Sequence, residues 1–329
     1  MPLFSTGFNP EKDLLDLTGK VIIVTGGNAG IGFTAIQHLV RRGAKVYMGS
    51  RNETKAKAAI ERLTAEGIGS GEVRHLSLDL SDPKLAKAAA EDFLTKETRL
   101  DVLVNNAAQT LIPYNKALYD IQDVVLVNYF STVAFTHKLL PLLEKTAEET
   151  GTDVRIVNVI TTGIKLVPAG KRFRGREDFN EEYAKVFTPR LTRYASSKLA
   201  VTIWTRELQR RLKATGSPII VVASDPGGVH TDGNINFAKQ HNAIFSRIFI
   251  LFSYLFFRSA VKGSYGSVFA AASPTVRENA DAYRGAYLDP DRRNLRAPNE
   301  DVYKEDLADE LWKSTQTILS EIGVWEDVI

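Results

Sequence analysis

Residues 21–32 read Val21-Ile22-Ile23-Val24-Thr25-Gly26-Gly27-Asn28-Ala29-Gly30-Ile31-Gly32, and the fold is decided there. Five β-branched residues in a row, four of them apolar, suit a strand buried on both faces, and the glycine-rich turn runs straight into a helical pattern from Ile31 to Arg42. Gly26, Gly30 and Gly32 fall where a tight turn, close approach of backbone to a pyrophosphate, and close packing of helix on strand exclude side chains. The helix N-terminus favours the negative charge, with Asn28 and Ile31 completing the turn. A strand, turn and helix of this kind open a dinucleotide-binding α/β unit.

The same rhythm continues outward. Ala44–Ser50, Val73–Leu80, Leu100–Ala108, Val154–Ile160 and Pro218–Gly227 read as strands, and Gly285–Asp289 as a short last one. Helical patterning fills Glu53–Glu66, Pro83–Lys96, Ala117–Leu143 and Tyr194–Thr215. The alternation predicts one α/β domain, a doubly wound parallel sheet of about seven strands flanked by helices. A chain of 329 residues with 44% hydrophobic and 25% charged residues has the composition for it, and disorder is excluded.

Charge and composition narrow the chemistry. The 42 Lys and Arg against 39 acidic residues leave +3, too mild for a nucleic-acid footprint, so no nucleic-acid partner is expected. With no cysteine, thiol chemistry is excluded, and the five histidines are scattered, so no metal site is expected. Met1–Pro10 lacks the basic and apolar regions of a secretory signal, which predicts an intracellular, cytoplasmic address.

The second strand ends in Ser50-Arg51-Asn52 with no carboxylate to take ribose hydroxyls. Arg51 suits a 2′-phosphate in bidentate fashion and Ser50 can add a hydrogen bond, which predicts NADP(H) in preference to NAD(H). Asp79, with Leu80 after it, stands where a carboxylate meets an adenine amino group or caps the next helix, with Ser81 and Asp82 as rivals for the cap. In Tyr194-Ala195-Ser196-Ser197-Lys198 the phenol and ammonium share a helix face, so the cation is expected to lower the Tyr194 pKa and make it a general acid.

Seven pieces in order carry a family resemblance: TGGNAGIG at 25–32, LDLSD at 78–82, NNAA at 105–108, Asn128 in VLVNYF, RIVNV at 155–159, YASSK at 194–198 and DPGGVHT at 225–231. Together they resemble a short-chain dehydrogenase/reductase, nearest the retinol dehydrogenase-like and protochlorophyllide reductase-like branch. The resemblance implies a Rossmann fold over residues 1–329, with 18–160 mainly holding the cofactor, and metal-free hydride transfer between nicotinamide C4 and a carbonyl or alcohol. It implies that Tyr194 protonates the carbonyl oxygen, that Lys198 holds the nicotinamide ribose, and that Asn128 anchors a proton-relay water. Asn105 and Ala107 would line the adenosine side, and Pro226, Gly227, Val229 and Thr231 would embrace the nicotinamide. The family's carbonyl-polarising serine is replaced here: in register Thr161 takes its place, with Thr162 as the fallback. Threonine keeps the hydroxyl but adds a methyl and restricts χ1.

Two segments break the rhythm. Residues 163–193, with Lys165, Lys171, Arg172, Arg174 and Arg176, read as a solvated basic insertion, and residues 230–262 as a substrate-binding lid. The lid is strongly aromatic, with Phe249, Phe252 and Phe256 as its wall, so a bulky lipophilic small molecule is the expected substrate. The same segment suits peripheral contact with a membrane surface. A long insertion before the tyrosine leaves homodimer and monomer both open. The alternative function is a catalytically weak or inactive NADP-binding regulatory or scaffold protein, or a lipid-surface-anchored member of the family.

Overall fold

The runs that read as strands pair into one parallel sheet in the order β3-β2-β1-β4-β5-β6-β7, in a computed structural model that describes residues 7–149, 151–230, 247, 257–291 and 294–326. The strands are β1 (Val21–Thr25), β2 (Lys45–Ser50), β3 (Glu72–Ser77), β4 (Val102–Asn105), β5 (Arg155–Val159), β6 (Ile220–Ser224) and β7 (Tyr287–Leu288). The long helices are α1 (Gly30–Arg41), α2 (Glu53–Glu66), α3 (Pro83–Leu94), α4 (Ser131–Glu148), α5 (Pro189–Ala214), α6 (Ala260–Ala272) and α7 (Glu305–Ile322). The expected Rossmann-type architecture is the one observed.

Alternation along each strand divides the core into two layers. Ile22 and Val24 face Ile36, Leu39 and Val40 of α1, with Val268 and Phe269 of α6 in the same cluster. Val21 and Ile23 face the opposite layer, which holds Phe93 of α3, Leu139 of α4 and Leu199, Ile203 and Trp204 of α5. Both faces of the sheet are covered, so every residue of β1 is buried and no polar alternation survives in its sequence. The strand order reverses between β1 and β4, and the carboxyl ends there open the crevice in which sheets of this type hold ligands.

Several boundaries differ from the sequence reading. The strand expected over 73–80 stops at Ser77. The helix expected from Ala117 begins at Asp123, because Tyr119 and Asp120 take φ of 54° and 53° and close a turn in which Leu118 pairs with Ile121. It passes through a π-helical turn, Leu126–Phe130, before becoming α4. Helix α5 begins at Pro189, not Tyr194, since proline suits the first helical turn and its missing N–H costs nothing there. Helix α6 starts at Ala260, capped by Ser259, so the last residues of the expected lid belong to its first turn.

The basic insertion is not a solvated loop. Phe173 and Phe179 are buried in the core, Lys171 is buried and paired with Glu181 at 2.9 Å, and Arg176 pairs with Glu321 of α7 at 2.6 Å. Arg172 meets Glu310 and Asp306 of α7, and Arg174 meets Asp178 at 2.9 Å. The two aromatic anchors do the docking and the ion pairs set its register, exposed pairs being worth little by themselves. Among the described residues no helix is long and apolar enough to cross a membrane.

Candidate active site

A cleft of about 550 Å³ runs along the carboxyl ends of the strands at the switch point. One end is lined by the β1–α1 turn, where Gly26 has φ of 67° and a Cβ would lie 2.9 Å from Ala107 Cα. A Cβ at Gly32 would sit 2.4 Å from Gly26 O, so the turn closes against the helix only with glycine there. The first turn of α1 has no side-chain cap from Ala29, leaving its N–H groups facing the cleft lined by Asn28, Gly30 and Ile31. This bare, glycine-cleared cradle of amide donors fits a pyrophosphate, and no side chain competes for it.

Ser50, Arg51, Asp79 and Leu80 line the adjoining end of the cleft. Asn52 is spent on capping α2, accepting from Lys55 N at 2.8 Å, which leaves Arg51 as the exposed basic side chain on this wall. The rivalry over the α3 cap resolves in favour of Asp82, which accepts from Lys84 N at 2.8 Å. Asp79 turns back to Ser81 N at 2.8 Å and stays in the cleft wall.

The middle of the cleft corrects one expectation. Asn105 does not line it: its amide donates to Thr136 and Asn158, both at 2.9 Å, inside the core. As the last residue of β4 it points into the sheet face, and the chain turns only at Asn106, which lines the cleft with Ala107. Thr25 Oγ1 accepts from the N–H groups of Asn106 and Ala107 at 3.0 and 2.9 Å, fixing that turn on β1. Gln109, Thr110 and Leu111 extend the wall, with Leu111 at φ 54°. None of the three carries a sequence signal.

Asn128 likewise stands behind the wall. In the π turn its Oδ1 accepts from Gln109 N at 2.8 Å and its Nδ2 donates to Gln109 O at 2.9 Å and Ser197 Oγ at 3.0 Å. With both amide atoms engaged, the side chain holds the Gln109 segment to α5; a relay water would have to start from main-chain groups. The π turn swings the side chain out of α-helical register toward that loop, a common use of such turns.

At the far end Thr161, Tyr194 and Lys198 converge with Pro226, Gly227 and Val229. Thr161 Oγ1 accepts from Gly163 N at 3.1 Å and lines the cleft, whereas the Thr162 hydroxyl donates to buried Asp225. Lys198 Nζ donates to the Val159 carbonyl at 2.7 Å, and burial brings the ammonium down to about 8. The Tyr194 phenol is not lowered as expected: burial first, then the Asp225 charge, push it above the ordinary tyrosine range. The Lys198 ammonium is engaged with a strand carbonyl, and the causes acting on the phenol are burial and Asp225.

Leu191 and Phe257 close this end. Phe257 is brought there by a short zip, Arg258 N donating to Gly228 O at 2.8 Å and His230 N to Arg258 O at 3.0 Å. Thr231, Phe249, Phe252 and Phe256 lie outside the described residues. Among the described residues no cluster of three metal-ligating side chains occurs.

Fold and cleft together define a nicotinamide-type oxidoreductase, and comparisons with known proteins give its family. The family model for short chain dehydrogenases matches residues 20–167. A short-chain dehydrogenase/reductase of Armillaria gallica is 41% identical over 317 residues, covering 96% of this chain and 98% of the relative. Retinol dehydrogenase 11 of Mus musculus is 33% identical over 274 residues, 83% of this chain and 78% of its own. The crystal structure of an uncharacterized protein from Mycobacterium Paratuberculosis aligns with a TM-score of 0.68 at 24% identity, over 95% of this chain and 98% of that one. The chain belongs to the short-chain dehydrogenase/reductase family and is an oxidoreductase of CH–OH and C=O groups that uses a nicotinamide cofactor and a small-molecule substrate.

Proposed function

We propose that this enzyme is NADP(H)-dependent and interconverts a carbonyl and an alcohol on a bulky lipophilic substrate, with Tyr194 as the general acid and base. The observation that carries the reading is the meeting of Thr161, Tyr194 and Lys198 at one end of a cleft whose other end carries the amide cradle and Arg51. Residues 18–160 supply mainly the cofactor half, and the segments 163–193 and 230–262 the substrate side.

When bound, the reduced nicotinamide supplies the hydride that adds to the carbonyl carbon. The protein does the rest. The Thr161 hydroxyl donates to the carbonyl oxygen and polarises it, and Tyr194 delivers the proton that oxygen takes up as it becomes an alcohol. In the reverse direction the tyrosinate takes the alcohol proton. With the cofactor bound, Lys198 would hold the nicotinamide ribose, and Pro226, Gly227 and Val229 would hold the nicotinamide end. Leu111, Leu191 and Phe257 make the substrate end apolar, and a relative named for retinol supports a lipophilic substrate.

The test is NADPH consumption with a panel running from small polar to large apolar aldehydes and ketones. Turnover rising with apolar bulk is the expected result; turnover confined to small polar carbonyls would overturn the substrate class. Thr161 gives a sharper check. Thr161→Ser is expected to retain activity within about threefold, whereas Thr161→Val is expected to lower kcat/KM by about 10²-fold, the usual cost of one donor to a developing oxyanion. Equal activity in the two variants would move the donor elsewhere.

A further inference from the structure

We propose that Gln109 is a specificity-determining residue: its side-chain amide, set in an apolar stretch of the cleft wall, takes a hydroxyl group of the substrate. The assignment rests on the reading of the cleft given above, and narrows the substrate from a lipophilic carbonyl compound to one that carries a hydroxyl group as well.

The backbone at Gln109 is fixed. Both of its main-chain groups are spent on Asn128, the N–H donating to Oδ1 at 2.8 Å and the carbonyl accepting from Nδ2 at 2.9 Å. Asn128 is itself buried and tied to α5 through Ser197 Oγ at 3.0 Å, one residue before Lys198. Upstream, Thr25 Oγ1 holds the N–H groups of Asn106 and Ala107. With its main chain turned to Asn128 behind the wall, Gln109 offers the cleft its side chain.

That side chain carries an unmet acceptor. Among the described residues, Gln109 is the one cleft-lining residue with a buried side-chain polar atom, Oε1, that no hydrogen bond reaches. Other polar groups of the wall are engaged within the protein. Asn106 Nδ2 donates to Thr25 O at 2.8 Å, Thr161 Oγ1 accepts from Gly163 N at 3.1 Å, and Lys198 Nζ donates to Val159 O at 2.7 Å. A buried amide oxygen without a donor destabilises the fold, and native proteins seldom keep one unless something binds to it. Its neighbours along the wall, Ala108 and Leu111, are apolar, as is Val127 beside Asn128. In such surroundings one hydrogen bond discriminates strongly between ligands that make it and ligands that do not.

A hydroxyl is the group that fits. The amide presents an acceptor and a donor side by side, and a hydroxyl donates to Oε1 while accepting from Nε2. A second carbonyl or an ether would engage Nε2 alone and leave Oε1 as it is. An ammonium group would enter an apolar wall with no counter-charge on the amide. The reacting carbonyl goes to Thr161 and Tyr194, so the hydroxyl is a separate polar point on the substrate and takes no part in hydride transfer.

Calorimetric binding to the complex of the full-length protein with NADP⁺ tests this without turnover, because the oxidised cofactor cannot reduce a ketone. The probes are tetralone and its isomers with one hydroxyl on the aromatic ring, which move a phenolic group that cannot be oxidised to a ketone around an apolar bicyclic frame. The wild-type protein is expected to bind at least one isomer about tenfold more tightly than tetralone, which leaves the amide oxygen unmet. In Gln109→Met, similar in length but apolar, that isomer and tetralone are expected to bind within about twofold of each other. Gln109→Glu keeps an acceptor at the same reach and is expected to keep the preference for the hydroxyl. Isomers that bind the wild type no better than tetralone, or not at all, would overturn the assignment, as would a preference that survives in Gln109→Met. NADPH affinity without a ketone, read by cofactor fluorescence, is expected to change by less than about twofold in Gln109→Met; a loss of about tenfold would give the amide to a ribose hydroxyl and overturn it too. If Gln109→Met does not fold, the wild-type ranking decides alone. Tetralones that bind in the expected order but are not reduced with NADPH would instead sink the reading of the reaction, and leave the role of Gln109 standing.

Discussion

Tyr194→Phe is expected to lower kcat/KM for carbonyl reduction by about 10³-fold while leaving NADPH affinity within about twofold, since general acid catalysis contributes in the range of about 10²- to 10⁴-fold. The substitution removes one oxygen and keeps the ring against its apolar surroundings, so the fold should tolerate it. Burial pushes the Tyr194 phenol upward, while it brings the Lys198 ammonium down to about 8. Reduction should therefore hold level below about pH 8, fall as Lys198 loses its proton there, and fall again where the phenol ionises, and Tyr194→Phe should lose that second limb together with the rate. A rate loss of less than about tenfold, with the limb intact, would mean that another group delivers the proton.

Arg51→Ala carries the second large effect. The KM for NADPH is expected to rise by about 30- to 100-fold and that for NADH by less than about threefold, because a bidentate pair to a 2′-phosphate is lost and NADH carries no such group. The wall around Arg51 supports the split: no carboxylate stands at the end of β2, Ser50 lines the cleft beside it, and Asn52 is occupied with capping α2. Steady-state kinetics with both cofactors would read it. Equal losses for NADPH and NADH would mean that Arg51 meets a group common to both, such as the pyrophosphate, and the NADP(H) preference would need another source.

Much of this was legible in the chain. The apolar runs of β1, β4, β5 and β6 are continuous because both sheet faces are covered, and that continuity is itself the signal of a parallel sheet. Gly26 and Gly32 could be read because a Cβ at either would strike backbone, a constraint that leaves its mark as residue type. The spacing of Tyr194 and Lys198 placed both in the cleft wall, since helix geometry is local.

What was not legible depends on contacts between distant residues or on the last residue of an element. Asn105 and Asn106 look equivalent in sequence, and only the point at which β4 ends sends one into the core and the other to the cleft. The Asn128 clasp on Gln109 needs a π turn that no residue type announces. Lys198 was read as acting on its helix neighbour, but a flexible four-carbon stem found the Val159 carbonyl instead. The basic insertion hid two aromatic anchors among its charges, and Phe173 and Phe179 outweigh the arginines in deciding where it sits.

The most direct test of the central claim is deuterium transfer. Incubating the wild-type protein with NADPH deuterated at nicotinamide C4 and a large apolar aldehyde or ketone, then weighing the product alcohol by mass spectrometry, follows the hydride itself. The account predicts an alcohol carrying one deuterium on the former carbonyl carbon, from one face of the nicotinamide only, formed about 10³-fold more slowly in Tyr194→Phe. Cofactor binding with no labelled alcohol from any member of the panel would contradict it, and would leave a protein that holds the nucleotide without using it.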